Sequence, residues 1–339
     1  MRVEFCASCG APLEARWSEI VIVCRYCGSQ NAPGGVGDPV PSSHPDDGRP
    51  RFSIGGRTYL IEGRLGSGDS CEVYRGRWVA RLGELVVIKV LRALDDVDLR
   101  RREWDLLGKL HRSEAQGALH FVTRLPQPIA LGPLRAFHPD REDGDGGPER
   151  LVSVFGWHPG FLHTLEEVHA VHPQGVPSRV VVWLFKRLLE LLGFLHRAGV
   201  VHGAVIPPHV LVHPRDHGAL LVGFGCATSW APTSRAPGRQ EPLPAISRAW
   251  RDLYPAPVLA ERWVSPRTDI AMAARCALLA AGAESFQDDG CLTGGLGALV
   301  LAAAHLAHDD AWALRDELDR ASAQVHGPPS YNPLAMPGW

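Results

Sequence analysis

The sequence lacks an uncharged apolar run long enough to cross a bilayer, and its first residues, Met1 to Cys6, hold no apolar targeting core. It also lacks an excess of either charge. Thirty-five Lys and Arg stand against 37 Asp and Glu, a formal net charge of -2. A chain so balanced sets up no global field to draw in nucleic acid or an anionic membrane, so any anion site must be local. Cysteine is missing where a secreted disulfide framework would need it: four of the eight cluster near the N-terminus, and Cys71, Cys226, Cys276 and Cys291 are scattered. That distribution fits a reducing compartment, and the expectation is a cytoplasmic protein with no membrane segment. There is no internal repeat, and 339 residues suffice for one large domain with a small one, or two medium domains, each burying its own core. Composition leaves the oligomeric state unspecified.

What the N-terminus does have is paired cysteine. Cys6-x-x-Cys9 and Cys24-x-x-Cys27 are separated by 14 residues, and each pair is followed at once by glycine, Gly10 and Gly28. Two such knuckles offer four thiolates to one tetrahedral zinc ion, and a stretch this short needs the metal to fold. With four protein ligands and no open position, the Zn2+ is expected to be structural. Residues 1–31 are therefore read as a zinc ribbon. Arg2, Arg16 and Arg25 in it are balanced by Glu4, Glu14 and Glu19, so a protein contact is expected there rather than a nucleic-acid one. Residues 32–50, APGGVGDPVPSSHPDDGRP, carry almost no apolar side chains and read as a flexible linker.

Beyond the linker, TYLIEGRL (58–65), CEVYRGRWV (71–79) and ELVVIKVL (84–91) read as a small antiparallel sheet. From Asp95 to His111 the spacing turns helical, with Leu99, Leu106 and Leu110 on one stripe that also holds Glu103. A carboxylate on a packing face needs a partner. A strand over 151–155 follows the charged, Gly-rich loop 140–149, and helices dominate from about residue 161. The segment 180–199 is apolar nearly all round, with Lys186, Glu190 and Arg197 on one narrow polar stripe. Segments 268–282, 296–307 and 311–322 supply three more helices, the last capped by Asp309 or Asp310. Residues 326–339 hold four prolines and read as an irregular tail.

The order of these motifs resembles a protein kinase. Gly66-Ser-Gly68 ahead of Val73 resembles the Gly-rich loop over ATP phosphates, Lys89 in VVIK the strand lysine, and Glu103 the helix glutamate paired with it. A Lys89–Glu103 salt bridge would account for the buried carboxylate. HRAGVVHGAVIPPHVLV (196–212) keeps the frame of the catalytic segment, with His202, Pro207 and the strand Val210–Val212 in place. Its polar residues are gone: Gly203 stands for the arginine, Ala204 for the catalytic aspartate, Ile206 for the lysine and His209 for the metal-binding asparagine. In ALLVGFG (219–225) Gly223 replaces the aspartate of DFG, while Phe224 keeps its packing position. Tyr254-Pro-Ala-Pro257-Val258 resembles the end of an activation segment, and Asp269 the aspartate that holds the catalytic-loop backbone.

The resemblance implies an α+β, bilobal protein-kinase-like fold, with a sheet lobe over 51–157 and a helical lobe over 158–325 behind the ribbon and linker. Phosphoryl transfer rests on positioning, metal ions and a carboxylate base. Ala204, Gly223 and His209 supply neither base nor the usual ligands, and losing one member of such a set costs about 10⁴-fold or more. The expectation is a degenerate kinase, a pseudokinase, that acts by binding protein partners, with no catalytic residue of its own. Gly66, Gly68, Val73, Lys89 and Glu103 are the candidate nucleotide-binding residues; ATP is expected without Mg2+, if it binds at all. Two alternatives stay open. One is an unorthodox active kinase or nucleotidyl transferase that draws carboxylates from the loop Asp140–Asp145. The other is a zinc-ribbon nucleic-acid binder whose kinase-like part is architectural.

Overall fold

A computed structural model describes residues 50–92, 94–134, 150–230 and 242–337, together with four short strands near the N-terminus. These are β1 (Arg2–Phe5) and β2 (Pro12–Ala15), paired antiparallel, and β3 (Ile22–Val23) and β4 (Gln30–Asn31), paired likewise. In sequence each hairpin brackets one cysteine pair. Cys6, Cys9, Cys24 and Cys27 themselves lie outside the described residues, as does the acidic loop Asp140–Asp145. The chain divides into two compact units, with boundaries after Arg100, Leu125 and Gly160.

The first unit is built on a six-stranded antiparallel sheet. Its strands are β5 (Arg51–Ile54), β6 (Arg57–Ser67), β7 (Cys71–Trp78), β8 (Arg81–Leu91), β9 (Pro128–Leu134) and β10 (Arg150–Gly156), in the order β5-β6-β7-β8-β10-β9. Alternation along β8 puts Val86, Ile88 and Val90 on one face, where they join Phe52, Ile54, Tyr59, Ile61, Tyr74, Val152 and Val154 in a single core. The outermost strands come together over that core. A Cβ on Gly132 of β9 would sit 3.2 Å from Ile54 Cγ2 of β5, so glycine there admits the close approach. The sheet is thereby rolled until its end strands meet through side-chain packing rather than hydrogen bonds.

Neither β5 nor β9 is foreseen from the sequence. Arg51–Ile54 offers only two alternating apolar residues behind a proline-rich stretch, and Pro128–Leu134 contains two prolines and a glycine. What makes β5 a strand is the turn that follows: Gly55 and Gly56 take φ of 61° and 73°, the left-handed pair that a tight hairpin needs.

The second unit is mainly helical. Its helices are α1 (Val97–His111, within which the unit boundary falls), α2 (Ala118–Phe121), α3 (Leu165–Val171), α4 (Ser178–Arg197), α5 (Ala256–Glu261), α6 (Pro266–Ala280), α7 (Gly295–Ala304) and α8 (Ala311–His326). Two small sheets complete it, β11-β13-β14 from His163–Thr164, Val210–His213 and Gly218–Leu221, and β12-β15 from Val200–Val201 and Thr228–Ser229. Helix α4 is the core of the unit, and its narrow polar stripe faces α8 rather than open water. Lys186 Nζ lies 2.7 Å from Asp319, and the Arg197 guanidinium lies 3.9 Å from the Trp312 ring centre. Gly193 admits Trp312, because a Cβ there would stand 2.0 Å from Cδ1 of the indole.

Several helix ends differ from the pattern reading, each for a local reason. Helix α6 starts at Pro266, since Ser265 and Thr268 form a capping box and proline suits the first turn. Helix α7 stops at Ala304, and α8 runs on to His326. Asp310 caps α8 by accepting from Trp312 N and Ala313 N at 2.8 and 3.1 Å, whereas Asp309 pairs with Arg267 at 2.9 Å. Helix α5 was not expected among its prolines. Among the described residues the tail after α8 has no helix or strand, yet Leu334 and Met336 in it are buried. Among the described residues no helix is long and apolar enough to cross a membrane.

Candidate functional site

In the first unit, β6 and β7 are joined by a tight turn closed by Gly68 N donating to the Cys71 carbonyl at 2.9 Å. Gly66 pairs with Val73, and Val73 with Lys89, so three of the candidate residues lie in one row across the sheet. Directly paired residues share a face, and Val87, two positions before Lys89, shares it too. Val73 and Val87 on this face are only half-buried, in contrast with the sealed opposite face. A Cβ added to Gly66 would meet nothing within 4 Å, and one on Gly68 only the Cys71 carbonyl at 3.8 Å. Neither glycine has a left-handed φ, so the hairpin itself does not demand glycine at either place.

Side chains pin this hairpin. Arg92 donates to Ser67 Oγ and to the Gly68 carbonyl, and it lies 3.5 Å from Glu72. The Tyr74 hydroxyl donates to Glu72, and with Arg64 and Arg92 beside it holds that carboxyl below its usual range against the opposing effect of burial. Cys71, at the third glycine position of the loop pattern, is buried. Lys89 is buried as well, its ammonium 5.1 Å from the Phe155 ring centre.

In the second unit the loop between β12 and β13 hangs on one carboxylate. Asp269, fully buried near the start of α6, accepts from His202 N at 2.8 Å, Gly203 N at 2.8 Å and His196 Nε2 at 3.0 Å. The role that the kinase resemblance assigns to Asp269 is the one its hydrogen bonds perform. The His202 ring is part of the same frame: Nδ1 accepts from Ala204 N at 3.3 Å and Nε2 donates to the Val222 carbonyl at 3.1 Å. Its edge packs on Phe224, ring centres 4.7 Å apart. Glu103 of α1 is fully buried and accepts a hydrogen bond from Phe224 N at 3.1 Å. Glu103 thus joins Ala204, His209 and Gly223 in the second unit, while Lys89 belongs to the first.

Positions 203, 209 and 223 are packed in a specific way. His209 donates through Nδ1 to the Ala204 carbonyl at 2.9 Å, which turns the far side of its ring onto Gly223. A Cβ at residue 223 would lie 2.6 Å from each of His209 Cδ2, Cε1 and Nε2. Gly223 also takes a φ of 82°, a conformation that favours glycine. At Gly203, with φ of 70°, a Cβ would stand 2.5 Å from Leu243 Cδ1. Leu243 is buried and anchored by its own N–H to the Arg262 carbonyl at 2.8 Å. Sequence reading missed Leu243; its one signal is an isolated apolar residue between two prolines in a polar stretch.

No protein-family model matches the chain, and no curated protein matches it. Solved structures do. That of vaccinia related kinase 3 aligns with a TM-score of 0.58 at 16% identity, over 85% of this chain and 94% of that one. That of the BubR1 kinase domain gives 0.57 at 14% identity, over 81% and 83%. The fold is that of a protein kinase. A hard cation takes oxygen ligands, and positions 204, 209 and 223 offer a methyl group, an imidazole and a bare Cα.

Proposed function

We propose that this chain is a catalytically inactive pseudokinase that acts by binding protein partners. The observation that carries the reading is the His209 ring lying in the space that a side chain at Gly223 would need. One substitution in a metal site removes a ligand; here the second fills the gap left by the first, so the site is rebuilt as packing. Ala204 offers no base, and its carbonyl is engaged by His209. Leu243 over Gly203 extends the same conversion from polar to apolar contacts.

On this reading Asp269 and Glu103 preserve the shape of a kinase loop for recognition rather than turnover. The open space above Gly66 and Gly68 and the half-buried face around Lys89 support weak, metal-independent nucleotide binding as a property of the first unit. The N-terminal cysteines form a structural zinc ribbon that gives a second protein-binding module. Its support is the paired spacing of the cysteines, bracketed in sequence by two short hairpins.

The deciding experiment is transfer of labelled phosphate from ATP to the chain itself and to generic protein substrates. The natural chain and Lys89→Met should give the same background. Activity that Lys89→Met abolishes would overturn the proposal in favour of an unorthodox kinase or nucleotidyl transferase.

A further inference from the structure

The β6–β7 hairpin carries polar chemistry on the face that the candidate nucleotide residues do not use. Ser67 pairs with Glu72 and Arg64 with Tyr74, and the bulge at Leu65 lets these two residues, three apart in sequence, share one face. Val90 pairs with Glu72 and lies on that face, as does the next alternate residue, Arg92, whose N–H continues the ladder to the Ser70 carbonyl at 3.0 Å. Val73 and Lys89 point the other way. Tyr74 and Val90 belong to the apolar core of the sheet, and toward the hairpin tip that core gives way to Arg64, Ser67, Glu72 and Arg92.

Ser67 is exposed, and the Arg92 guanidinium donates to its Oγ and to the neighbouring Gly68 carbonyl. Glu72 lies 3.5 Å from Arg92 and 3.6 Å from Arg64, and it accepts the Tyr74 hydroxyl at 2.5 Å. The side chains of both arginines stay open to water, 40% exposed for Arg92 and 47% for Arg64, so a further anion can reach them. Ser70, the other serine of the hairpin, is partly covered, and the buried Arg100 donates to it at 3.4 Å. Asp69 at the tip is exposed, where water and salt screen its charge.

We propose that Ser67 is a phosphorylation site, and that Arg92 and Arg64 clamp the phosphoryl group on the face away from Lys89. Two guanidiniums against one carboxylate leave positive charge in excess beside an exposed hydroxyl. A phosphoryl group brings about −1.5 to −2 charge and three acceptor oxygens, more than Glu72 offers. Both arginines therefore turn toward it, and Glu72 keeps the Tyr74 hydroxyl. Because Arg92 also holds the Gly68 carbonyl, the new bonds tie down the hairpin tip. Arg64 precedes the target by three residues, in Arg64-Leu-Gly-Ser67, a pattern suited to a kinase with an acidic substrate groove. The step belongs to that separate kinase. Ser67 Oγ bonds to the γ-phosphorus of ATP, the bond to the β–γ bridging oxygen breaks, ADP leaves with the electron pair, and the hydroxyl proton passes to the carboxylate base of the kinase.

Two measurements on the full chain test this. Incubation with ATP and a serine kinase that prefers arginine three residues before its target, followed by peptide mass spectrometry, should place phosphate on Ser67, more slowly in Arg64→Gln. Chain carrying phosphoserine at position 67, installed during translation, reports on the clamp. Two guanidiniums favour the dianion, so its phosphorus NMR titration should fall about one unit below the ordinary second pKa of about 6. The double variant Arg64→Gln, Arg92→Gln should return it there. Amide exchange over residues 63–73 should slow about tenfold with the phosphate in place, and the double variant should lose that gain. Both arginines are exposed, so these substitutions leave the fold intact. No incorporation at Ser67, or a phosphoserine titration that the double variant leaves unmoved, would overturn the proposal. So would equal exchange over residues 63–73 with and without the phosphate.

Discussion

The imidazole of His209 and the bare Cα of Gly223 are complementary surfaces: three ring atoms each stand 2.6 Å from where a Cβ on residue 223 would be. Two positions that the kinase resemblance treats as separate losses are one contact. A side chain cannot be added at 223 without displacing the His209 ring.

That contact predicts a coupling. Gly223→Asp should cost about 1–3 kcal/mol by overpacking against the ring, and less when combined with His209→Asn. A double-mutant cycle by urea denaturation should give a coupling of about 0.5–3 kcal/mol. Strictly additive effects would mean that the ring yields freely.

The same pair governs metal dependence. Calorimetric titration of the natural chain with ATP should show weak or no binding, with an affinity that magnesium leaves unchanged. The double variant His209→Asn, Gly223→Asp should acquire a magnesium-dependent gain, because it restores two oxygen-bearing side chains. A large magnesium effect in the natural chain would count against the plugged site.

Asp269 is predicted to hold the loop by hydrogen bonding. Asp269→Ala strands two buried backbone donors and the His196 ring, at about 1–3 kcal/mol for each buried group left without a partner. Chemical denaturation should therefore show several kcal/mol lost. A loss below about 1 kcal/mol would show that water takes over the carboxylate's role.

Much of this was readable in the chain itself. Segments as strongly patterned as α4 and β8 announce their type, and Asp269 could be placed through the kinase resemblance of the helix it opens. The position of Glu103 within an apolar stripe called for a partner, for which the sequence pointed to Lys89; within its own unit Glu103 accepts from the Phe224 N–H. Other features needed three dimensions. Gly132 reads as a strand breaker and serves as the thin spot where two strands meet. Leu334 and Met336 sit among prolines that forbid regular structure but not burial, and Tyr331, itself exposed, stacks on His217. His209 read as an isolated loss because its partner lies 14 residues on, and only folding puts ring and glycine face to face.

For the ribbon, the prediction is one zinc ion per chain, bound by Cys6, Cys9, Cys24 and Cys27. Metal analysis of protein purified without chelator checks the ratio. Chelation should then unfold the N-terminal module alone, leaving the denaturation midpoint of the remainder unchanged. Protein free of zinc would remove the ribbon from the account.

The rolled sheet of the first unit also bears on how the chain is made. Ile54 emerges from the ribosome long before Gly132, and until β9 arrives the strand β5 can lean only on its hairpin partner. Closure is a late, non-local event, of the kind that is slow to form and leaves sticky surface waiting. A nascent chain halted before β9 would carry Phe52, Ile54 and Ile61 on an unsealed face, making this interval the one in which a chaperone is most needed.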